Sequence, residues 1–584
     1  MNSKTKSNKT NGWWGKIAFI DLEHRRVSIQ KPALKIYTAF LGGRGLAGFY
    51  LKDKITLSYD DPQMPLLIFT GPLTGTPAPT SGRVTFMSRS PLTGGVGDAS
   101  AGGNFGAALK RCGLDGLVIT GKSASVCGIE ISNEKIRITD ASTLAGALVQ
   151  TAHKQLAPKG STAVIGPAAE NGAMFANVMI DGRHAAGRTG IGLVFASKNI
   201  KYITVSGNKR PPVFDRTALQ EASADVMRLI AASPFLMGPS GISAFGTGAL
   251  YDLMDARNMM PANNFSASKF EHAAALNAPS FKKQYGFKSH GCSGCHIRCK
   301  KTGRDNRQIP EFETMSHFSA LTGNSDIEVV RKANLICDDY GMDTISAAAT
   351  LAAYFELEKR RPGPGEILRL LGEMGDGQGI GKELSCGAAR WCAAAGHPET
   401  AMCVKNLELP AYDPRGAYGM ALAYAVSTRG GCHLRAYPIG HEILRKPAPT
   451  DRFSFAGKAR MIKNGEDANA VADSLIACKF TFLAATCEEY AKVFTAATGI
   501  SMTGQDLLLA GERICYNERI ANSKNGFSES DDDLPARFFS PSGPDALAPI
   551  DRKDFLAARS AYYRVRGLDE SGMPFPEKTR ELGL

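Results

Sequence analysis

No stretch of about 18 consecutive apolar residues occurs in this 584-residue sequence, so nothing in it reads as a membrane-spanning helix. The polar, lysine-bearing opening Met1–Asn11 lacks the apolar centre of a secretion signal, and the protein is expected to be soluble and cytoplasmic. Runs of like charge are missing too. The net charge of +13 comes from scattered Lys and Arg without an aromatic-plus-basic RNA signature, which argues against nucleic acid and leaves an acidic protein partner or an anionic cofactor. Repeats and low-complexity blocks are absent, as are the dinucleotide Gly-x-Gly-x-x-Gly and Walker patterns. An even, regularly spaced set of cysteines is absent as well. The chain has 13, three of them within eight residues, which suits metal ligation in a reducing compartment better than a disulfide framework.

Ordinary apolar and charged fractions of 43% and 21%, with 62 glycines, describe a globular protein with many close backbone approaches. Its length exceeds what one hydrophobic core holds, about 250–300 residues, so several domains are expected. Up to Gly207 short β-rich runs dominate: Lys16–Leu22, Leu66–Thr70, Arg83–Ser88, Gly116–Thr120, Gly128–Ser132, Ala163–Gly166 and Lys201–Ser206. Helices are predicted around Ser142–Leu156 and Thr189–Ile200. After Gly207–Pro212 the period becomes helical, in Arg216–Ala232, Ile327–Tyr340, Thr344–Lys359 and Gly419–Thr428. A second boundary falls at Leu409–Arg415, and the tail after Ser528 reads as loop-rich. The predicted class is α+β: a β-rich N-terminal domain over 1–207, then two mainly helical domains over 208–412 and 413–584.

Cys292, Cys295 and Cys299 form Cys-x2-Cys-x3-Cys, with Gly294 relieving crowding as three thiolates converge. Soft thiolates at this spacing suit an iron–sulfur cluster or zinc, and the second Cys or His knuckle usual for zinc does not follow nearby. Radical S-adenosylmethionine enzymes use the reverse order of spacings. A cuboidal cluster needs a fourth ligand, and Cys478, close to Asp473, stands among the distant cysteines that qualify. Two glycine-rich segments, Ser90–Asp98 and Ala101–Gly106, lead toward a helix starting near Phe105, with Arg83 on the preceding strand. They suit a tight turn or close backbone approach to an anion. Gly182–Gly192 places Arg183 and Arg188 at the mouth of another predicted helix, where guanidinium groups suit either phosphate or solvent.

Together these segments resemble the tungsten-containing aldehyde ferredoxin oxidoreductase family, from about Gly12 to Cys478. The resemblance is carried by Ser90-Pro91-Leu92-Thr93-Gly94, Gly97-Asp98, Gly102-Gly103, Ala186-Gly187-Arg188-Thr189-Gly190, Ser197-Lys198-Asn199, the three-cysteine segment, Pro310-Glu311-Phe312-Glu313-Thr314, Asp343-Thr344-Ile345-Ser346 and Asp413-Pro414-Arg415-Gly416. It implies a tungsten held by two pterin dithiolenes, one [4Fe-4S] cluster, a magnesium ion between the pterin phosphates, and a β-rich base covered by two helical domains. Carried over by motif, Arg83, Ser100, Gly102, Arg188, Thr189 and Arg435 would contact the pterin cofactor. A repeated Asp-x-x-Gly-Leu-(Cys/Asp) pattern adds Asp338 and Asp343, with Met342 for Leu, and Asp473 with Cys478, whose copy lacks the Gly-Leu. Ser100 departs from the Asn common at its position. Cys292, Cys295, Cys299 and Cys478 would be the cluster ligands.

The implied reaction is aldehyde plus water to carboxylate, with Glu313 and His433 as the non-ligating acid–base pair. Electrons would pass to ferredoxin or a ferredoxin-like subunit, in a homo- or hetero-oligomer. The Glu-x-x-His element that bridges some relatives through a metal is not evident between Ile327 and Asn334. Two alternatives stand beside this: the tungsten subunit of a benzoyl-coenzyme A reductase-like enzyme, and a non-redox zinc-binding module.

Overall fold

The computed structural model describes residues 10–363 and 365–584; most of the lysine-bearing Met1–Asn11 segment lies outside them. Two six-stranded sheets fill the first part of the chain. In one, Gly116–Thr120 lies parallel to Ile17–Asp21 and antiparallel to Leu66–Phe69. Leu66–Phe69 is buried along its whole length, which accounts for an uninterrupted Leu-Leu-Ile-Phe run instead of an alternating one. The other sheet is built on Ser161–Ile165, Ile200–Ser206 and Cys127–Ser132. One hydrophobic cluster joins Phe86 and Leu117 of the first sheet to Ile165 and Ile203 of the second.

Arg26–Gln30, Lys135–Asp140 and Val178–Ile180 are strands beyond the predicted runs, and two more bear on the site. Val96–Ala101 lies within the glycine-rich region read as a turn, and His184–Ala186 precedes the helix Ile191–Ser197. Small residues give neither strand an apolar alternation, and the neighbours impose the extended form: Thr85 pairs with Ser100, and Val178 with Ala186. These are the strands that carry Ser100 and feed Arg188.

The helical period is realised in Arg216–Ala231, Ile327–Tyr340, Thr344–Leu357 and Tyr418–Val426. Ile327–Tyr340 starts at Asp326, whose carboxylate accepts from the Glu328 amide, and stops at Gly341 with φ 74°. The loop-rich tail is corrected: Arg552–Arg566 is a helix. Its inward face is anchored by polar contacts that hide its apolar period, Tyr562 Oη donating to Glu466 at 2.6 Å and Arg566 pairing with Asp467 at 2.5 Å. The long helices Lys458–Leu475 and Gly504–Lys524 pack together, and Gly43–Leu51 lies against both. Gly43 permits this, since a Cβ there would sit 2.2 Å from the Asp473 carbonyl oxygen. Among the described residues no single helix is long and apolar enough to cross a membrane.

Candidate functional site

The three-cysteine segment is the loop of a short hairpin, Lys288–His290 paired with Lys300–Thr302. It seats on the first sheet: the Ser293 amide donates to Gly103 O at 3.1 Å, and a Cβ on Gly102 would lie 2.3 Å from Cys292 Sγ. Gly102 therefore gives a thiol room that any side chain would occupy. Cys478 comes from the turn that ends Lys458–Leu475, its amide donating to Thr80 O at 3.1 Å. Burial pushes the Cys478 thiol up to about 11, with Arg83 pulling down and Cys295 and Cys292 pushing up. Burial likewise raises Cys299, reinforced by Glu311 and Cys478. Four thiols within one another's field, with the Arg83 cation beside them, form a donor set that fits an anionic iron–sulfur cluster.

Arg83 is itself held by Ser100, whose hydroxyl and carbonyl accept from Nε at 3.0 Å and Nη2 at 2.5 Å. The two Asp-x-x-Gly-like copies share one backbone shape. Gly341 (φ 74°) and Ile476 (φ 64°) both close a helix in the left-handed region, donating to Cys337 O and Ala472 O. The next amides, Met342 and Ala477, donate to those same carbonyls at 2.8 and 2.9 Å. A β-branched residue thus bears a conformation of a kind that costs about 1–3 kcal/mol, and the turn that aims Cys478 survives loss of the glycine. In the first copy, burial pushes Asp338 up to about 7, and its carboxylate accepts from Asn334 Nδ2 at 2.9 Å.

Between these turns lies a buried layer of charge. Asp98 receives Arg435 on both oxygens, Arg44 pairs with Glu518 at 2.6 Å, and Asp473 pairs with Lys479 at 2.8 Å. Burial works to raise Asp98, but Arg435, Arg429 and Arg44 hold it below the carboxylate range. Arg44 Nη1, 3.6 Å from Asp473 Oδ2, and Arg435 Nε are buried without a hydrogen-bond partner in the protein. Unpartnered guanidinium donors in a dry layer fit phosphate oxygens of a bound anion.

Arg188, expected at the cofactor phosphates, is held here by protein groups. Its Nε donates to Asp343 at 3.1 Å, Nη1 to Gly431 O at 2.7 Å and Nη2 to Glu408 O at 2.6 Å, while Thr189 Oγ1 turns to Arg188 O at 2.6 Å. Arg188 therefore ties the sheet domain to the loop carrying His433, and Asp343 caps Thr344–Leu357. Arg188→Ala is expected to cost about 3–5 kcal/mol in a denaturant titration, because Asp343 and Glu408 are left buried without their cation. Lost pterin with unchanged stability would instead show that phosphate binding is its main task.

Glu313, in the short helix Phe312–Ser316, accepts the Ala411 amide on Oε2 at 2.8 Å and presents Oε1 to His433 Nε2 at 3.6 Å. Glu313 Oε1 and His433 Nδ1 are buried without hydrogen-bond partners. Burial pushes the Glu313 carboxyl up to about 8, and burial with Arg188 and Arg429 holds His433 far below its ordinary value, so it is a neutral imidazole. The folded state keeps a proton that the unfolded chain releases near 4.5. Glu313→Gln should thus match wild-type stability below about pH 4.5 and exceed it by a few kcal/mol at alkaline pH, read from melts at pH 5 and 9. A variant less stable at pH 9 would contradict this burial account.

Two residues here escaped the sequence reading. Cys432 Sγ accepts from Arg429 Nη2 at 2.9 Å and the Leu434 amide at 3.3 Å; burial opposes ionisation, yet Arg429, Arg435 and Lys479 lower its pKa. His317, fully buried, stands behind Glu313 with Nδ1 3.6 Å from Oε2. Cys432 adjoins His433, a residue named from the sequence, whereas His317 offered only its four-residue spacing from Glu313.

Comparison with known proteins matches residues 17–207 to the family model "Aldehyde ferredoxin oxidoreductase, N-terminal domain" and residues 221–584 to "Aldehyde ferredoxin oxidoreductase, domains 2 & 3". Tungsten-containing aldehyde ferredoxin oxidoreductases of Pyrococcus furiosus and Thermococcus kodakarensis are each 35% identical, over 98% of this chain and 99% of theirs. A Pyrococcus furiosus protein named aliphatic sulfonate oxidoreductase, WOR-like subunit, is 26% identical over 98% of this chain and 97% of its own. A chain of the BamBC active-site complex of benzoyl coenzyme A reductase, in complex with 1,5-dienoyl-CoA, superposes with a TM-score of 0.84 at 20% identity, over 99% of this chain and 98% of that one. At that identity the likeness shows the shared fold alone.

Proposed function

The chain belongs to the aldehyde ferredoxin oxidoreductase family, and from that premise we propose that it oxidises aldehydes to carboxylic acids with water. A tungsten bis-pterin supplies two-electron redox chemistry when bound, and a [4Fe-4S] cluster on Cys292, Cys295, Cys299 and Cys478 leads the electrons to ferredoxin or an iron–sulfur subunit. In this reading segment 1–207 is the cofactor base and segments 208–412 and 413–584 cover it. Arg44 and Arg435, each with a buried nitrogen that makes no hydrogen bond, would hold the pterin phosphates, whose remaining charge the magnesium ion would offset, and Arg83 would lie beside the cluster thiols.

The observation that carries the reading is the Glu313–His433 pair, two buried acid–base groups 3.6 Å apart, each with an atom lacking a hydrogen bond. At neutral pH Glu313 holds a proton and faces His433 Nε2, which leaves the Nδ1–H free to donate to a substrate carbonyl. That hydrogen bond draws electron density from the carbonyl carbon and favours addition of water. Ionised, Glu313 takes the proton that water releases, so kcat/KM should rise with pH through about 8. Tyr412, whose ring lies 5.4 Å from that of His433, and Tyr437 wall this side of the site.

The test is an anaerobic assay of an aldehyde panel with a viologen acceptor, run in oxygen-18 water. The account expects stoichiometric carboxylate carrying oxygen from water. Reduction of an aromatic thioester by the reduced protein, with no aldehyde turnover, would give the reaction to the reductase alternative.

A further inference from the structure

The charge of this chain is not evenly spread around the site. Between Phe281 and Gln308 there are eight Lys or Arg and one acidic residue, a net seven of the chain's +13. Lys282, Lys283, Lys288, Arg298, Arg304 and Arg307 are exposed. The single acid, Asp305, is paired with Arg331 at 2.6 Å. This is the hairpin that carries Cys292, Cys295 and Cys299. Beside it opens a cleft of about 640 Å³ lined by Arg183, His184, His290 and Gly291. Its floor is thin: the space a Cβ on Gly102 would occupy touches Cys292 Sγ on one side and lies 3.2 Å from His184 Nδ1 on the other. The His184 and His290 rings meet edge to face at 6.1 Å.

We infer that this cleft and its basic hairpin are the docking surface for a small acidic one-electron carrier, an iron–sulfur protein of the ferredoxin kind. The inference rests on the proposed role of the four thiols. Each encounter passes one electron from the reduced cluster to the oxidised carrier, so two encounters complete one aldehyde oxidation. Fixed cations around the exit point raise the encounter rate and orient the acidic face.

The test is a calorimetric titration of the metal-loaded protein with an oxidised acidic ferredoxin at low and high salt, a measurement without turnover. Arg183→Glu/Lys288→Glu/Arg307→Glu should raise Kd at least tenfold at low salt and flatten its salt dependence, with iron content and viologen-linked rate at wild-type level. Unchanged Kd and salt dependence in the triple variant would overturn the proposal. If the triple variant fails to fold, Lys288→Glu alone, on an exposed hairpin position, must still weaken binding measurably, and wild-type affinity there would also overturn it. Failure of aldehyde oxidation in the wild type would sink the proposed activity and leave the titration able to judge the surface.

Discussion

Glu313→Gln and His433→Asn are each expected to lower the aldehyde oxidation rate by at least about 10²-fold while tungsten and iron stay near wild-type levels, since general acid–base groups contribute about 10²–10⁴-fold. Both replacements keep size and hydrogen-bonding capacity. Glu313→Gln still accepts the Ala411 amide, and His433 contacts Glu313 and Tyr412, not the thiols. Loss should therefore appear in turnover rather than in cofactor content. In Glu313→Gln the rise of kcat/KM through about pH 8 should also vanish, because the titrating carboxyl is gone. Normal turnover at full metal occupancy in both variants would refute the proposed roles. A fall only in proportion to lost tungsten would make the residues structural.

Cys478→Ser is the second large effect. In the proposed set this thiol is the fourth ligand, and its loss would leave three thiols around a cluster that takes four. Iron should fall from about four per chain toward none, and the low-potential paramagnetic signal of the reduced protein should go with it. Cys487→Ser, at the start of the helix Cys487–Thr498, is the control that should keep both. Full iron and signal in Cys478→Ser would pass the fourth ligand to another cysteine.

What was legible in the sequence followed local rules. Ile327–Tyr340 carries its start in Asp326, its stop in Gly341 and its period in between, so its limits could be read directly. The helix Arg552–Arg566 was hidden because buried arginine and tyrosine hydroxyls, not aliphatic side chains, hold its inner face. Strands Val96–Ala101 and His184–Ala186 were hidden because their extended form is set by the neighbouring strand. Arg188 looked like a surface or phosphate cation from its glycine neighbours, and only the fold reveals Asp343, Glu408 and Gly431 around it. Ile476 teaches the converse: the sequence lost the motif's glycine, but helix ending and pairing preserved the turn.

The central claim, a tungsten and iron–sulfur enzyme of this family, is met most directly by element analysis of the anaerobically purified protein. The account predicts about one tungsten and four irons per chain, with no stoichiometric zinc. About one zinc per chain without tungsten or iron would contradict it and return the cysteine segment to a structural metal site.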